Sequence, residues 1–267
     1  MYQRVGNRPL IQGGSCEAAA KWIFWLGLAC IFKKKNMKKY RTLFIDLDDT
    51  LFDFKGASRE AFRETYELLG YDRFFESFDQ FLQIYEPQNR ELWQEYNAGK
   101  ITKAELNRVR YSYPLEVVGH PDEALGARFG VEALGRIPHK NMLLPGALEM
   151  VEYLSGKYEL FILSNGFMEL QSQKMATTGL TKYFKRVILS EEIGRNKPDP
   201  ALFEYALEVA GACKECSLMI GDAFETDILG AANVGIDQMF LNVKGEKNLS
   251  FRPTFEVSSL SEVCKFL

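Results

Sequence analysis

Apolar residues recur along this chain in two rhythms, and the change from one to the other divides it. From about residue 55 to residue 143 they return every three or four positions, as in 58–69, 88–97 and 102–109, with almost no strand-like alternation. That spacing predicts an all-helical stretch. Thr102 with Glu105 three residues on fits a capping box, Gly70, Gly99 and Pro114 punctuate the helices, and Pro121 and Pro138 interrupt the later part. After Pro145-Gly146 helical and strand patterns alternate. Helices are predicted over 147–155, 169–177, 200–210 and 226–234, and strands over 159–163, 186–189, 218–220 and 238–243. With the apolar run Leu43-Phe44-Ile45 upstream, this alternation predicts an α/β fold: a doubly wound, mostly parallel sheet carrying an all-helical insertion. The core would comprise residues 37–54 and 144–267, and the insertion 55–143.

The first 36 residues break both rhythms. Residues 22–32, WIFWLGLACIF, form an apolar run well short of the ~20 residues a spanning helix needs. The run ends in Lys33-Lys34-Lys35 rather than in the small residues of a cleavage site, which disfavours a signal peptide. Two readings stand, an interfacial anchor with basic flanks and an upstream extension with Met37 as the working start; the second is favoured, so no membrane partner is expected.

Composition narrows the chemistry. At 267 residues and 46% hydrophobic the chain can bury a large core. Residues 1–41 hold nine of the 33 Lys and Arg but only Glu17 of the 36 acids, so the body is acidic. An acidic body has no electrostatic footprint for nucleic acid, whereas one positive pocket still recruits a small anionic metabolite. Five cysteines give no disulfide framework, and the lone CKEC at Cys213 and Cys216 has no second pair or nearby His to make a zinc site; the chain reads as reduced and cytoplasmic. With only His120 and His139, schemes built on histidine have little to work with. Any metal should be hard and oxygen-bound: magnesium, with manganese as the alternative.

Ligands of open parallel sheets bind beyond the carboxyl ends of the strands. Asp46, Asp48 and Thr50 follow the first apolar run, and the spacing of two puts both carboxylates on one side if the strand continues through them. Two such acids, if buried, call for a cation or a phosphoryl group between them. Ser164, Asn165 and Gly166 follow the next strand, Lys197-Pro198 lies past the third, and Gly221, Asp222 and Asp227 follow the fourth. Each alone reads as an ordinary turn or loop. Four in succession at strand ends read as a site.

These stretches, DLDDT at Asp46, SNG at Ser164, KP at Lys197 and GDAFETD at Gly221 to Asp227, resemble the four motifs of the haloacid dehalogenase superfamily of phosphotransferases. The resemblance runs from about residue 38 to the C-terminus and places the helical insertion where that superfamily carries a cap over a Rossmann-like core. More narrowly, TLFDF, LWQEYNAGKIT, SNGF and SEEIGRNKPDPALFEYAL look like bacterial noncanonical pyrimidine 5′-nucleotidases, with Ala223 and Pro87 as departures. The resemblance implies Asp46 as a nucleophile that forms an aspartyl-phosphate. It implies Mg2+ on Asp46, Asp222 and the main-chain carbonyl of Asp48, with Asp227 supporting a ligand rather than acting as one. Asp48 would be the general acid and base, and an acid at that position points to a phosphatase or mutase. Ser164, Asn165 and Lys197 would hold phosphoryl oxygens, with Thr50 and Gly166 in the same substrate-binding set. The expected substrate is a small phosphate ester, a pyrimidine nucleoside monophosphate before a sugar phosphate. Selection would fall to the cap, where Asn89 and Trp93 share a helical face. Trp93 either stacks on a base or, more in keeping with a large aromatic residue, packs inside; Pro87 is expected to turn Tyr85 away. A sugar phosphatase, a phosphoglucomutase and a silent membrane-associated binding protein are the rival readings.

Overall fold

The computed structural model describes residues 40–267. The apolar run at 22–32, its basic flank and Met37 lie outside the described residues. Six strands form one sheet: β1 (Thr42–Ile45), β2 (Glu159–Ser164), β3 (Arg186–Leu189), β4 (Ser217–Gly221), β5 (Asp237–Leu241) and β6 (Phe255–Val257). Their order is β3-β2-β1-β4-β5-β6 and every pairing is parallel. Parallel strands covered on both faces read as continuous apolar runs, which is why TLFI, FILS and LMIG carry so little alternation. Along β1, Leu43 and Ile45 face one layer with Met150 and Leu154. Phe44 faces the other, with Phe161, Phe203 and Met219. The order reverses at β1, so the crevice between β1 and β4 is where a ligand site belongs.

Helices α5 (Ala147–Ser155), α6 (Met168–Thr177), α7 (Pro200–Ala210), α8 (Leu229–Val234) and α9 (Leu260–Phe266) cover the sheet. Two expected elements differ in kind. The predicted helix at 226–234 divides into a π turn, Phe224–Ile228, followed by α8. The last predicted strand is not the sheet's edge, because β6, only three residues long, adds to it; so short an element shows no periodicity.

Between β1 and α5 lie α1 (Phe54–Leu68), α2 (Phe78–Asn97), α3 (Lys103–Val117) and α4 (Glu123–Arg136), and no strand. Gly70 and Gly99 do end helices, but Pro114 sits inside α3 and Pro87 inside α2. A proline in a helix interior costs about 3 kcal/mol. Packing outweighs it here. In α2 the residues Phe78, Phe81, Leu82, Tyr85 and Leu92 are buried, and in α3 Leu106, Tyr111 and Leu115. Tyr85 is therefore not turned away: it packs edge-on to Phe62 at 5.0 Å and stacks on Tyr111 at 5.9 Å. The capping box of Thr102 and Glu105 forms as its spacing predicts. Gly126 and Gly130, four apart on α4, let that helix close on α3: a Cβ at Gly130 would lie 2.5 Å from the Tyr111 ring, and one at Gly126 2.8 Å from the Ser112 backbone. Among the described residues, no helix is long and apolar enough to cross a membrane.

Candidate active site

Asp46 is the first residue beyond β1, and its N–H still donates to the Ile220 carbonyl at 2.9 Å, so the sheet itself fixes it. The side chain is buried, 7% exposed, and Lys197 Nζ donates to Asp46 Oδ1 at 2.6 Å. Lys197, also buried, reaches across from the loop after β3; it donates to the Leu163 carbonyl at 2.8 Å and pairs with Asp227 Oδ1 at 2.7 Å. Burial alone would lower its pKa, but Asp227 and Asp46 outweigh burial and raise it, so the ammonium is secure. Asp46 itself is pushed well up: burial is the main cause, and Asp227, Asp222 and Asp48 add to it against the pull of Lys197. Asp222 is raised to about 6 by burial, then by Asp227 and Asp49, with Lys55 and Thr50 opposing. Thr50 fixes Asp222 twice, accepting from its N–H at 3.0 Å and donating to Oδ1 at 3.2 Å.

Asp46, Asp222 and Asp227 each present an oxygen, and these lie within 4.8 Å of one another. One lysine cannot neutralise two buried carboxylates and a third that is half-buried. The surplus negative charge and the all-oxygen donor set fit a hard divalent cation. Asp227 is thus brought into the same cluster as Asp46 and Asp222, where it also pairs with Lys197. Gly221 makes room for it: a Cβ there would stand 2.1 Å from Asp227 Oδ2.

Asp48 goes elsewhere. The strand stops at Ile45, so the spacing of two does not carry both carboxylates to a common partner. Lys174 Nζ donates to Asp48 Oδ1 at 2.7 Å, and Gln171 Nε2 donates to Oδ2 at 2.9 Å and to Ser164 Oγ at 2.7 Å. Both partners come from α6 and are buried, and sequence reasoning missed them. The signal was available: a Gln and a Lys three residues apart share one helical face, directly after a strand-end motif.

Around Ser164 the polar groups are largely engaged with one another. Ser164 Oγ accepts from Gly166 N at 3.1 Å. The Asn165 amide clamps the lysine backbone, accepting from Lys197 N at 2.7 Å and donating to Lys197 O at 3.0 Å; it also donates to Asn97 Oδ1 at 3.0 Å. Asn97 ends α2, so the helical insertion touches the loop after β2, and it touches the lysine's loop where Asn196 Nδ2 donates to the Tyr96 carbonyl at 3.0 Å. Trp93 stacks on Phe167 at 5.6 Å, and Lys103 bridges Glu169 and Glu191, both at 2.9 Å. Trp93 is therefore half-buried, stacked on Phe167 and still lining the cavity.

A cavity of about 820 Å³ opens over this cluster. Asp46, Asp48, Lys197 and Asp222 line its floor, and Phe62, Tyr85, Asn89, Trp93, Arg110 and Tyr111 of the insertion line its wall.

A carboxylate and lysine cluster at the reversal point of a doubly wound parallel sheet, with a helical wall beside it, defines an α/β enzyme with its centre in a cleft. The chain belongs to the haloacid dehalogenase-like hydrolase family, whose family model matches residues 40–235. It is 34% identical over 232 residues to the pyrimidine 5′-nucleotidase YjjG of Escherichia coli (strain K12), covering 86% of this chain and 98% of that one. It is 31% identical over 227 residues to the pyrimidine 5′-nucleotidase PynA of Streptococcus pneumoniae (strain ATCC BAA-255 / R6), covering 84% and 93%. Among solved structures it is similar to the HAD-hydrolase YfnB of Bacillus subtilis bound to magnesium, with a TM-score of 0.77, 29% identity, and 85% and 98% of the two chains covered.

Proposed function

We propose that this protein is a magnesium-dependent phosphatase of nucleoside monophosphates, pyrimidine 5′-nucleotides before others, working through an aspartyl-phosphate on Asp46. The observation that carries the reading is the buried Asp46–Lys197–Asp227 array beside Asp222, opening into a cavity walled by the insertion. Two relatives that bear the name pyrimidine 5′-nucleotidase, at 34% and 31% identity, support the substrate class.

In this mechanism an Asp46 carboxylate oxygen attacks phosphorus. The new P–O bond forms as the ester P–O bond breaks, and Asp48 gives its proton to the leaving ester oxygen. Water then attacks the aspartyl-phosphate; Asp48 takes a proton from that water, and Asp46 leaves with its electron pair. Lys197 orients Asp46 and offsets charge that builds on the phosphoryl oxygens. Ser164 and the loop main chain through Gly166 donate to those oxygens, and Asn165 acts on Lys197, whose backbone it holds. Thr50 fixes Asp222. Gln171 and Lys174 hold the Asp48 carboxylate at the cavity edge.

Magnesium, when bound by Asp46, Asp222 and the Asp48 carbonyl with Asp227 adjacent, supplies the positive charge that lets an anionic carboxylate meet an anionic phosphate. A reducing, cytoplasmic setting suits the free thiols Cys213, Cys216 and Cys264. The test is phosphate release from a panel of nucleoside and sugar monophosphates with and without magnesium. Release from nucleotides, abolished reversibly by a chelator, is expected; no turnover on any ester with magnesium present would overturn the proposal.

A further inference from the structure

The wall of the cavity contributed by the insertion holds a cation that the chemistry above does not use. Arg110, on α3, is 4% exposed and lines the cavity. Its Nη2 donates to Asn107 Oδ1 at 2.5 Å, yet its Nε is buried with no hydrogen-bond partner. Among the described residues Arg110 forms no ion pair. Its neighbours are rings: Tyr111 lies 4.6 Å and Trp93 5.8 Å from the guanidinium carbon. Burial pushes the phenols of Tyr85 and Tyr111 up against the pull of Arg110, so their hydroxyls stay neutral beside the guanidinium and supply no counter-charge.

One turn before Trp93, on the facing helix α2, Asn89 lines the same cavity, and its Oδ1 is also buried without a partner. A donor and an acceptor left unmet in an otherwise well-packed wall carry a standing desolvation cost. A bound group with matching atoms removes that cost.

The geometry points to Arg110 and Asn89 as the pair that reads the leaving group, with Arg110 Nε donating to a ring carbonyl oxygen of a pyrimidine and Asn89 Oδ1 accepting from the neighbouring ring N–H or amino group. This assignment rests on the nucleotidase reading and names the part of the cavity that would enforce it. An apolar surround of Phe62, Tyr85 and Tyr111 suits a flat ring, and a guanidinium fork reads carbonyl oxygens directionally. Adenine has no ring carbonyl, and a bare sugar phosphate has no ring of this kind.

The test compares kcat/KM for deoxyuridine monophosphate and ribose 5-phosphate, as a ratio, in the wild type, R110M and N89A. The ratio should fall about 10–100-fold in R110M and about 3–10-fold in N89A, because a hydrogen bond to a charged group is worth more than a neutral one. Equal losses on both substrates in R110M would make Arg110 a packing residue and overturn the proposal, as would an unchanged ratio. A larger loss on a sugar bisphosphate than on the nucleotide would assign Arg110 to a second anion, and that too would overturn it. If R110M fails to fold, N89A decides alone, since its side chain is smaller and only half-buried. A wild-type ratio near one would instead retire the nucleotidase reading itself, an outcome distinct from a high ratio that ignores Arg110.

Discussion

The floor and the wall of the cavity are built on opposite principles. On the floor, strand ends and the loops after them deliver charge: Asp46, Asp222 and Asp227 surround Lys197, and Asp48 is held by Lys174 and Gln171. Most polar atoms there have a partner within the protein, with the buried Gln171 Oε1 an exception. The wall is aromatic, and four of its buried polar atoms, Arg110 Nε, Asn89 Oδ1, Ser58 Oγ and Tyr111 Oη, have none. A floor that satisfies itself is organised before a ligand arrives, as electrostatic catalysis requires. A wall with unmet atoms is completed by the ligand, as selection requires. Substitutions on the floor should therefore lower turnover for all esters alike, and those on the wall should alter the ratio between esters.

The largest effect belongs to D46N. With the attacking carboxylate removed, turnover should drop by about 10⁴-fold or more on every substrate, while thermal melting shows a folded protein, because Lys197 keeps its pair with Asp227. Near-normal phosphate release from D46N would break the floor's assigned role. D48N comes next, with a fall in kcat of about 10²–10⁴-fold that is again uniform across substrates. A loss confined to one ester would move Asp48 from the chemistry to recognition.

K174M removes the charge-assisted bond to Asp48 and should lower kcat about 10–100-fold with little change in KM. A KM effect alone would show that Lys174 belongs with substrate binding. The smallest effect sharpens the wall. G130A pushes a methyl group into the Tyr111 ring and should cost about 1–3 kcal/mol, read as a lower melting temperature, and should blunt the preference between esters more than it lowers turnover. An unaltered preference with the same loss of stability would uncouple the α3–α4 contact from selection.

The floor was far more legible in the sequence than the wall. Asp46, Ser164, Lys197 and Asp222 each follow an apolar run, and the rule that parallel sheets bind ligands at strand ends needs no knowledge of packing. Lys174 and Gln171 escaped because a helical Lys reads as a solvated residue until its face is known to be buried. The wall depends on how four helices cross. Pro87 and Pro114 read as helix breakers, yet both lie inside helices whose buried faces outweigh the local penalty, and Tyr85 was misplaced on that account. Arg110 gave no signal at all, since only the assembled insertion shows that a cation is buried there beside rings and without a carboxylate. The paired carboxylates were noticed for a reason the fold does not keep, because the strand stops before Asp48 and the two side chains serve different partners.

The division between a floor that acts and a wall that chooses is tested most directly by kcat/KM for deoxyuridine, deoxyadenosine and glucose monophosphates, measured side by side with magnesium present. Deoxyuridine monophosphate should exceed both others by about 10-fold or more, since the proposed reading of one ring's carbonyl by Arg110 disfavours adenine and a bare sugar alike. Equal values for the three would mean that the wall chooses nothing, and would contradict the account.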